Sequence, residues 1–442
     1  MKKSRIVQNS CIFCAGASTV LFLIGWLNDT TLFMLIGCIF VFIPLLFADD
    51  VSLFSLIFFY IPNIRMFKLS GGSSMTVIGF FTVAFLLRIV LASKLKINSK
   101  VIQYLLLYWA TVFISMIINQ NLSQLLPLIR YSIDIMLFFS LCILYKSQLF
   151  SFFIKLKNYF LAGTLSALTC GIIFQLINQT NIQDIRFAGV NNDPNYYGVI
   201  MATAFSVVIL SIVGRFTKKI TPSIFLAMLI LIGGLLSLSR GFVIALSINI
   251  LLILYLLFSR KTFNMKQKGW IVFIVILLII FTSGLLNDYF MTIFNRFIED
   301  ESGGGRIEIW AQYLLIISSN YKTFLFGLGS STRIWEQGII MFVPHNTIID
   351  IFVAFGILGI ISTILLYISF VFVLKDLTGI NKFNKIGFCP FISLLLGYSF
   401  LSGIHSDSFI FLSLFTLFMC ALFSAKRNTK ADWPIPDLSD TQ

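Results

Sequence analysis

In the last third of the chain, Val343-Pro344-His345-Asn346 opens a stretch that then runs almost wholly apolar to Gly359. An imidazole in such a place can stay neutral at pH 7 and accept a proton, or it can simply sit at an interface or a helix cap. Other short stretches carry groups suited to anions. Arg186 begins RFAGVNNDPNYYG, where Asp193 suits a helix N-cap and Pro194 the first helical position, with Asn195 beside them. Arg186 itself has no local structural task, which suits a ligand role. In LSLSRGF, Arg240 stands in a tight hairpin between two apolar runs, where a charge either reaches out to headgroups or serves a purpose. GGGRIEIW places Arg306 and Trp310 four residues apart, hence on one helix face. A guanidinium there could hold a phosphate while the indole stacks on a sugar. Asn346, next to the histidine, joins the candidates for substrate binding.

Further charged groups invite blander readings. Glu299, Asp300 and Glu301 beside Arg296 form either a solvated face or a carboxylate base. Arg130 and Asp134, four apart in the sixth apolar run, read as an intramembrane ion pair that holds helices in place. His405, in SGIHSDSF, reads as an interfacial residue. The seven cysteines, including the Cys11/Cys14 pair, lie in or beside apolar runs and read as small buried hydrophobes. No P-loop, dinucleotide glycine pattern, zinc-protease or serine-hydrolase motif, or metal-ligand cluster is present in the sequence.

The elements that must position these groups are membrane helices. Hydrophobic residues make up 58% of the 442, charged residues 11%, and Phe occurs 49 times. No soluble core could hide that much apolar surface. Apolar runs fall at about 11–27, 31–47, 51–66, 74–92, 101–118, 125–145, 157–177, 195–213, 222–238, 241–258, 269–284, 346–373, 387–402 and 406–424. The third is short and contains Pro62, so it could be re-entrant, and 12–14 spans are expected. The fold class is therefore an all-α polytopic membrane protein. Its organisation is 1–284 for the first eleven spans, 285–345 for one long outer loop with an interfacial helix near 306–319, 346–425 for the remaining spans, and 426–442 for a tail.

The net charge of +14 would raise the question of nucleic acid in a soluble protein. With an inner N-terminus and one crossing per run, 23 of the 32 basic residues fall on the inner side. Cytoplasmic segments of membrane proteins collect such residues, so no basic patch remains that calls for nucleic acid. Both termini are expected inside. The outer nine are Arg65, Lys68, Arg130, Arg186, Arg240, Arg296, Arg306, Lys322 and Arg333. Seven are arginines, the residue suited to forked recognition of phosphate or carboxylate.

Taken in order, Arg186…Asp193-Pro194-Asn195, Ser239-Arg240-Gly241, Gly305-Arg306…Trp310, Gly327-Leu328-Gly329 and His345-Asn346…Phe355-Gly356…Gly359 resemble the O-antigen polymerase and ligase superfamily of bacterial inner-membrane enzymes. The likeness covers roughly residues 180–365. It implies a glycosyltransferase of the polytopic C class acting at the periplasmic face on glycans carried by undecaprenyl diphosphate, with no nucleotide sugar, cofactor or metal. By motif, Arg186, Arg240 and Arg306 match the family's basic positions and His345 its loop-end histidine.

The residues suggest the same chemistry without the name. Displacement at an anomeric carbon needs a departing diphosphate stabilised, which fixed arginines can do, and a hydroxyl proton removed, which a histidine or carboxylate can do. The span count favours a polymerase of repeat units over a ligase that delivers the glycan to a lipopolysaccharide core. A polymerase would work with a flippase and a chain-length regulator. A polysaccharide or lipid transporter is the remaining alternative, but its charges would sit at the midplane and its halves would repeat.

Overall fold

The structure is a computed structural model, and it describes residues 2–68, 76–177, 187–189, 193–217, 220–258, 265, 269, 272, 306–330, 332–340, 343–399, 401 and 407–429. Its helices are α1 (Lys2–Leu27), α2 (Thr31–Phe42), α3 (Pro44–Phe47), α4 (Asp50–Tyr60), α5 (Val77–Leu91), α6 (Ser99–Ile118), α7 (Leu125–Leu144), α8 (Leu149–Ile177), α9 (Pro194–Val213), α10 (Ile220–Leu236), α11 (Arg240–Phe258), α12 (Arg306–Ser318), α13 (Tyr321–Phe326), α14 (Arg333–Glu336), α15 (Thr347–Thr378), α16 (Cys389–Tyr398) and α17 (Asp407–Thr429). No strand occurs among the described residues. Seven helices are long and apolar enough to cross a membrane, and six shorter apolar helices accompany them. The chain is an all-α polytopic membrane protein, as its composition requires. The 269–284 run lies outside the described residues, apart from Gly269 and Val272.

Phenylalanine builds the centre. From Ser408 to Ala425, every residue of α17 is buried. Phe411, Phe415 and Phe418 meet Phe54, Phe58, Phe138, Phe152 and Phe153 from α4, α7 and α8, with ring centroids 5.1–6.2 Å apart. Edge-on and tilted contacts of this kind favour one packing over others in a medium where apolar burial alone discriminates little. Cys11 and Cys14 are buried, in keeping with the hydrophobic reading.

Polar contacts sort the helix ends into two groups. Arg65 after α4 reaches Asp193 before α9, Asn119 after α6 reaches Gly327, and Thr347 opening α15 reaches Tyr398 and Leu401 at the close of α16. At the other end, Asp50 opening α4 meets Arg88 in the last turn of α5 and Lys94 after it. There too Lys100 opening α6 meets Asp376 near the end of α15, and Lys426 reaches Arg215 after α9. Successive helices therefore alternate in direction. The third run is not re-entrant: α4 starts at the Asp50 end and, through a buried turn at Ile61–Asn63, finishes at the His345 end.

The far end is an ion network. Asp50 lies buried with Lys94 at 3.0 Å and Arg88 at 3.8 Å. Arg88 also donates to the carbonyls of Leu45 and Ala48, which close α3. Asp49 caps α4 through Ser52 N–H at 2.7 Å and pairs with Lys155 at 3.8 Å.

Candidate active site at the His345 end

Asp193 starts the site. Its carboxylate accepts the backbone N–H groups of Asn195 at 3.0 Å and Tyr196 at 3.3 Å, with Pro194 in the first helical position. That is the N-cap expected from sequence. The same carboxylate holds Arg65 at 3.3 Å, and the Arg65 guanidinium lies 4.8 Å from the centre of the Tyr196 ring. Asn195 then ties α9 to the hairpin before α11: Ser239 Oγ donates to Asn195 Oδ1 at 3.1 Å and accepts Phe242 N–H at 3.3 Å. Ser239 thus caps α11 and fixes Arg240, its first residue, next to the start of α9. Arg240 is half-buried.

The second half of the site is a helix seated on a broken helix. Tyr313 and Ile317 of α12 are fully buried against Ile334, Ile340, Ile349 and Val353. Burial, and then the charge of Asp350, pushes the Tyr313 phenol up to about 12. This is the interfacial helix expected near 306–319, but its apolar stripe faces protein. Trp310 donates its indole N–H to the Pro344 carbonyl at 2.7 Å. The indole therefore pins the residue before His345, a task that spacing alone did not suggest. On the other side, Asn346 caps α15 through the N–H groups of Ile348 at 3.0 Å and Ile349 at 3.2 Å. Between these two anchors His345 takes a left-handed backbone, φ 45°. Such conformations are uncommon outside glycine and persist where the surroundings fix them.

Beneath lies the break. At Gly356, φ is 66° and ψ −165°, so α15 is not the continuous span that 346–373 implied. The freed carbonyls of Val353 and Ala354 accept Leu328 N–H at 2.7 Å and Gly329 N–H at 2.9 Å. Ser115 Oγ also donates to Ala354 O at 2.8 Å. Gly327 and Gly356 let the two backbones cross: a Cβ at Gly356 would collide with the Leu325 carbonyl, and one at Gly327 with Ala354. Arg333 clamps the crossing by donating to Asn119 O at 2.8 Å and Leu328 O at 3.1 Å. The glycine-leucine-glycine stretch and Gly356 are thus two halves of one joint.

His345 is solvent-exposed at this junction. Partial loss of hydration lowers its pKa, the positive charge of Arg306 lowers it further, and the charge of Asp193 opposes both. Charges at the mouths of α9 and α12 thus act on the imidazole before α15, and its lowered pKa favours the neutral form. The charge of Arg306, at the start of α12, acts on it, and the Asn195–Ser239 hydrogen bond ties the start of α9 to that of α11, where Arg240 stands. A neutral base beside fixed cations can take a hydroxyl proton and stabilise a departing anion.

Residues 224–364 match the family model described as O-Antigen ligase. This stretch is similar to the O-antigen ligase family. The matched stretch contains Arg240, the Gly327–Gly356 joint, Arg306, Trp310, His345 and Asn346. It begins after Asp193 and Asn195, which the surrounding bundle supplies. No curated protein and no solved structure matches the chain.

Asp193, Asn195, Arg240, Arg306, Trp310, His345 and Asn346 are thus brought to one end of the bundle. Arg186, His405 and the Glu299–Glu301 cluster lie outside the described residues. Arg65 was absent from the sequence-based site. Its only signal was membership of the arginine-rich outer set, and its nearest chemistry is 128 residues away at Asp193.

Proposed function

We propose that the protein polymerises oligosaccharide repeat units carried on undecaprenyl diphosphate, at the periplasmic face of the bacterial inner membrane, with both termini cytoplasmic. The observation that supports this best is His345, held between Trp310 and Asn346 with Arg306 and Asp193 acting on it. His345 takes the proton of the attacking sugar hydroxyl. Arg240 and Arg306, with Arg186, bind the departing lipid diphosphate and stabilise the charge that develops as the glycosidic bond to it breaks. The bond formed joins the hydroxyl oxygen to the anomeric carbon, and the diphosphate leaves with its electron pair. Thirteen apolar helices among the described residues, together with the 269–284 run, support the larger span count favoured for a polymerase.

A second reading, transfer of the finished glycan to a lipopolysaccharide core, is favoured by the description of the matching family model. Purified protein given one lipid-diphosphate-linked repeat unit decides between them. A ladder of multiples on a gel supports the polymerase, and transfer only after core is added supports the ligase. No product in either assay would leave the transporter reading. A polymerase in this setting receives its substrate from a flippase and answers to a chain-length regulator.

A further inference from the structure

Helix α12 has three sides. Tyr313 and Ile317 face protein, and Glu308 and Gln312, four apart, are exposed polar groups. Between these two sides Ile307, Ala311, Leu314 and Ser318 recur at helical spacing, and all four are exposed. Leu315, which borders this stripe, is 69% exposed. The outward apolar surface does not end with α12. Thr323 Oγ1 donates to Ile317 O at 2.8 Å where the chain turns into α13, and there Tyr321 is 72% exposed, with Phe324 and Leu325 exposed beside it. Trp335 of α14 and Ile339 after it are exposed too. On a cap standing in water, so many outward apolar side chains would make a large adhesive patch.

The depth of this surface is fixed by α6. That helix is long and apolar enough to cross a membrane, and Ile117 in its last turn is 69% exposed, as a lipid-facing side chain is. Asn119, the residue that closes α6, donates to Gly327 O at 3.1 Å, directly after α13. Arg333, which opens α14, donates to Asn119 O at 2.8 Å. Both short helices are therefore fastened to the residue at which a lipid-facing span ends, and Phe324 also meets Phe352 of α15 edge-on, with ring centroids 5.6 Å apart. The outward row on α12–α14 continues the lipid-facing surface of α6.

We infer that the α12–α14 cap is seated in the membrane leaflet at the His345 end, its outward stripe and the rings of Tyr321 and Trp335 docked on lipid at the boundary between headgroups and acyl chains. Tyrosine and tryptophan favour that boundary, where one edge of the ring is apolar and the other wet. An amphipathic helix lying there buries its apolar side about 5–10 Å deep. Glu308 and Gln312 remain in water, and exposed Lys322 suits the phosphates of the headgroups. Because Trp310 of α12 holds Pro344, seating the cap also sets the level of His345. The inference needs no glycosyl chemistry, so it and the transferase reading stand or fall separately.

The test uses the full-length protein in nanodiscs, with one nitroxide at a time carried on a genetically encoded keto amino acid, so that the seven native cysteines play no part. Labels in place of Leu315, Tyr321 and Ile339 should collide more often with dissolved oxygen than with a water-soluble nickel chelate, as a label in place of Ile117 does. A label in place of Gln312 should show the reverse order. A larger response to the nickel chelate at the three cap positions overturns the proposal, because the cap then stands in water. Labels shielded from both probes overturn it as well, because protein then covers the surface, and dipolar broadening between labels would identify that protein as a second copy of this chain. A measurement without labels guards against misfolding. Tryptophan emission should be quenched by acyl-brominated lipid, and Trp335→Phe, with its thermal transition unchanged, should lose part of the quenched signal. An undiminished quenched signal in Trp335→Phe overturns the placement.

Discussion

At the end of the bundle far from His345, Asp50 lies buried between Arg88 and Lys94, and Asp49 joins Lys155 while capping α4. At the His345 end, Arg65 pairs with Asp193, and Arg240 and Arg306 are the first residues of α11 and α12. The residue types are nearly the same, but the far network carries its own carboxylates and spends Arg88 on backbone carbonyls. Its work is to hold helix ends. At the His345 end the Asp193 carboxylate is shared among a helix cap, Arg65 and the imidazole. One end uses its charges to join helices, whereas the other sets a shared carboxylate and a cation to act on an imidazole.

The largest separation between the two ends should come from His345→Asn, since asparagine tolerates the left-handed backbone there. Loss of a general base costs about 10²–10⁴-fold in rate, so product formation should fall by that order while the thermal transition in detergent stays put. Retained activity would remove the imidazole from the chemistry. Gly356→Ala should come next and should strike both quantities. The position's φ and ψ are open to glycine almost alone, at a cost of about 1–3 kcal/mol for other residues, and the added methyl meets the Leu325 carbonyl. Loss of stability together with slower turnover per folded molecule is expected, because the joint carries α12 and the His345 turn. A variant as stable as wild type would show that the crossing can open freely.

Asp50→Asn should give the reverse signature of His345→Asn. The buried carboxylate has two cationic partners that are themselves partly exposed, so about 1–2 kcal/mol of stability should be lost. The rate per folded molecule should be unchanged. If turnover fell with no change in unfolding, the far network would share in function and the contrast between the ends would fail.

Much of this contrast was legible in the sequence. Span positions followed from apolar runs, and the inside-outside count of Lys and Arg sorted the helix ends as the polar contacts do. Asp193 as a cap was readable because Asp-Pro-Asn before an apolar run has a local meaning. The breaks in that reading are all non-local. Trp310 looked like a sugar platform, and its N–H belongs to Pro344, 34 residues on. Gly327 and Gly356 looked like separate motifs, and they meet only because the α15 break exposes carbonyls that Leu328 and Gly329 complete. Arg65 looked like one outer arginine among several, since spacing along one chain says nothing about a partner on another helix.

The finest probe of the His345 end is the pH profile, where each neighbour's sign can be read. The imidazole must be neutral to accept a proton, and loss of hydration with Arg306 nearby lowers its pKa from the ordinary 6.5. Activity should therefore be full at pH 7 and fall on an acid limb below 6.5. Arg306→Gln removes a positive neighbour, so the limb should move up toward 6.5 even though the rate itself drops. Asp193→Asn removes the charge that favours the imidazolium, so the limb should move down. Glu308→Gln, exposed and two residues from Arg306 on α12, serves as the control and should leave it in place. Opposite shifts from two residues on different helices would be hard to produce unless both face one titrating group. If neither variant moves the limb, the base is another residue, and the acidic cluster at Glu299–Glu301 becomes the next to test.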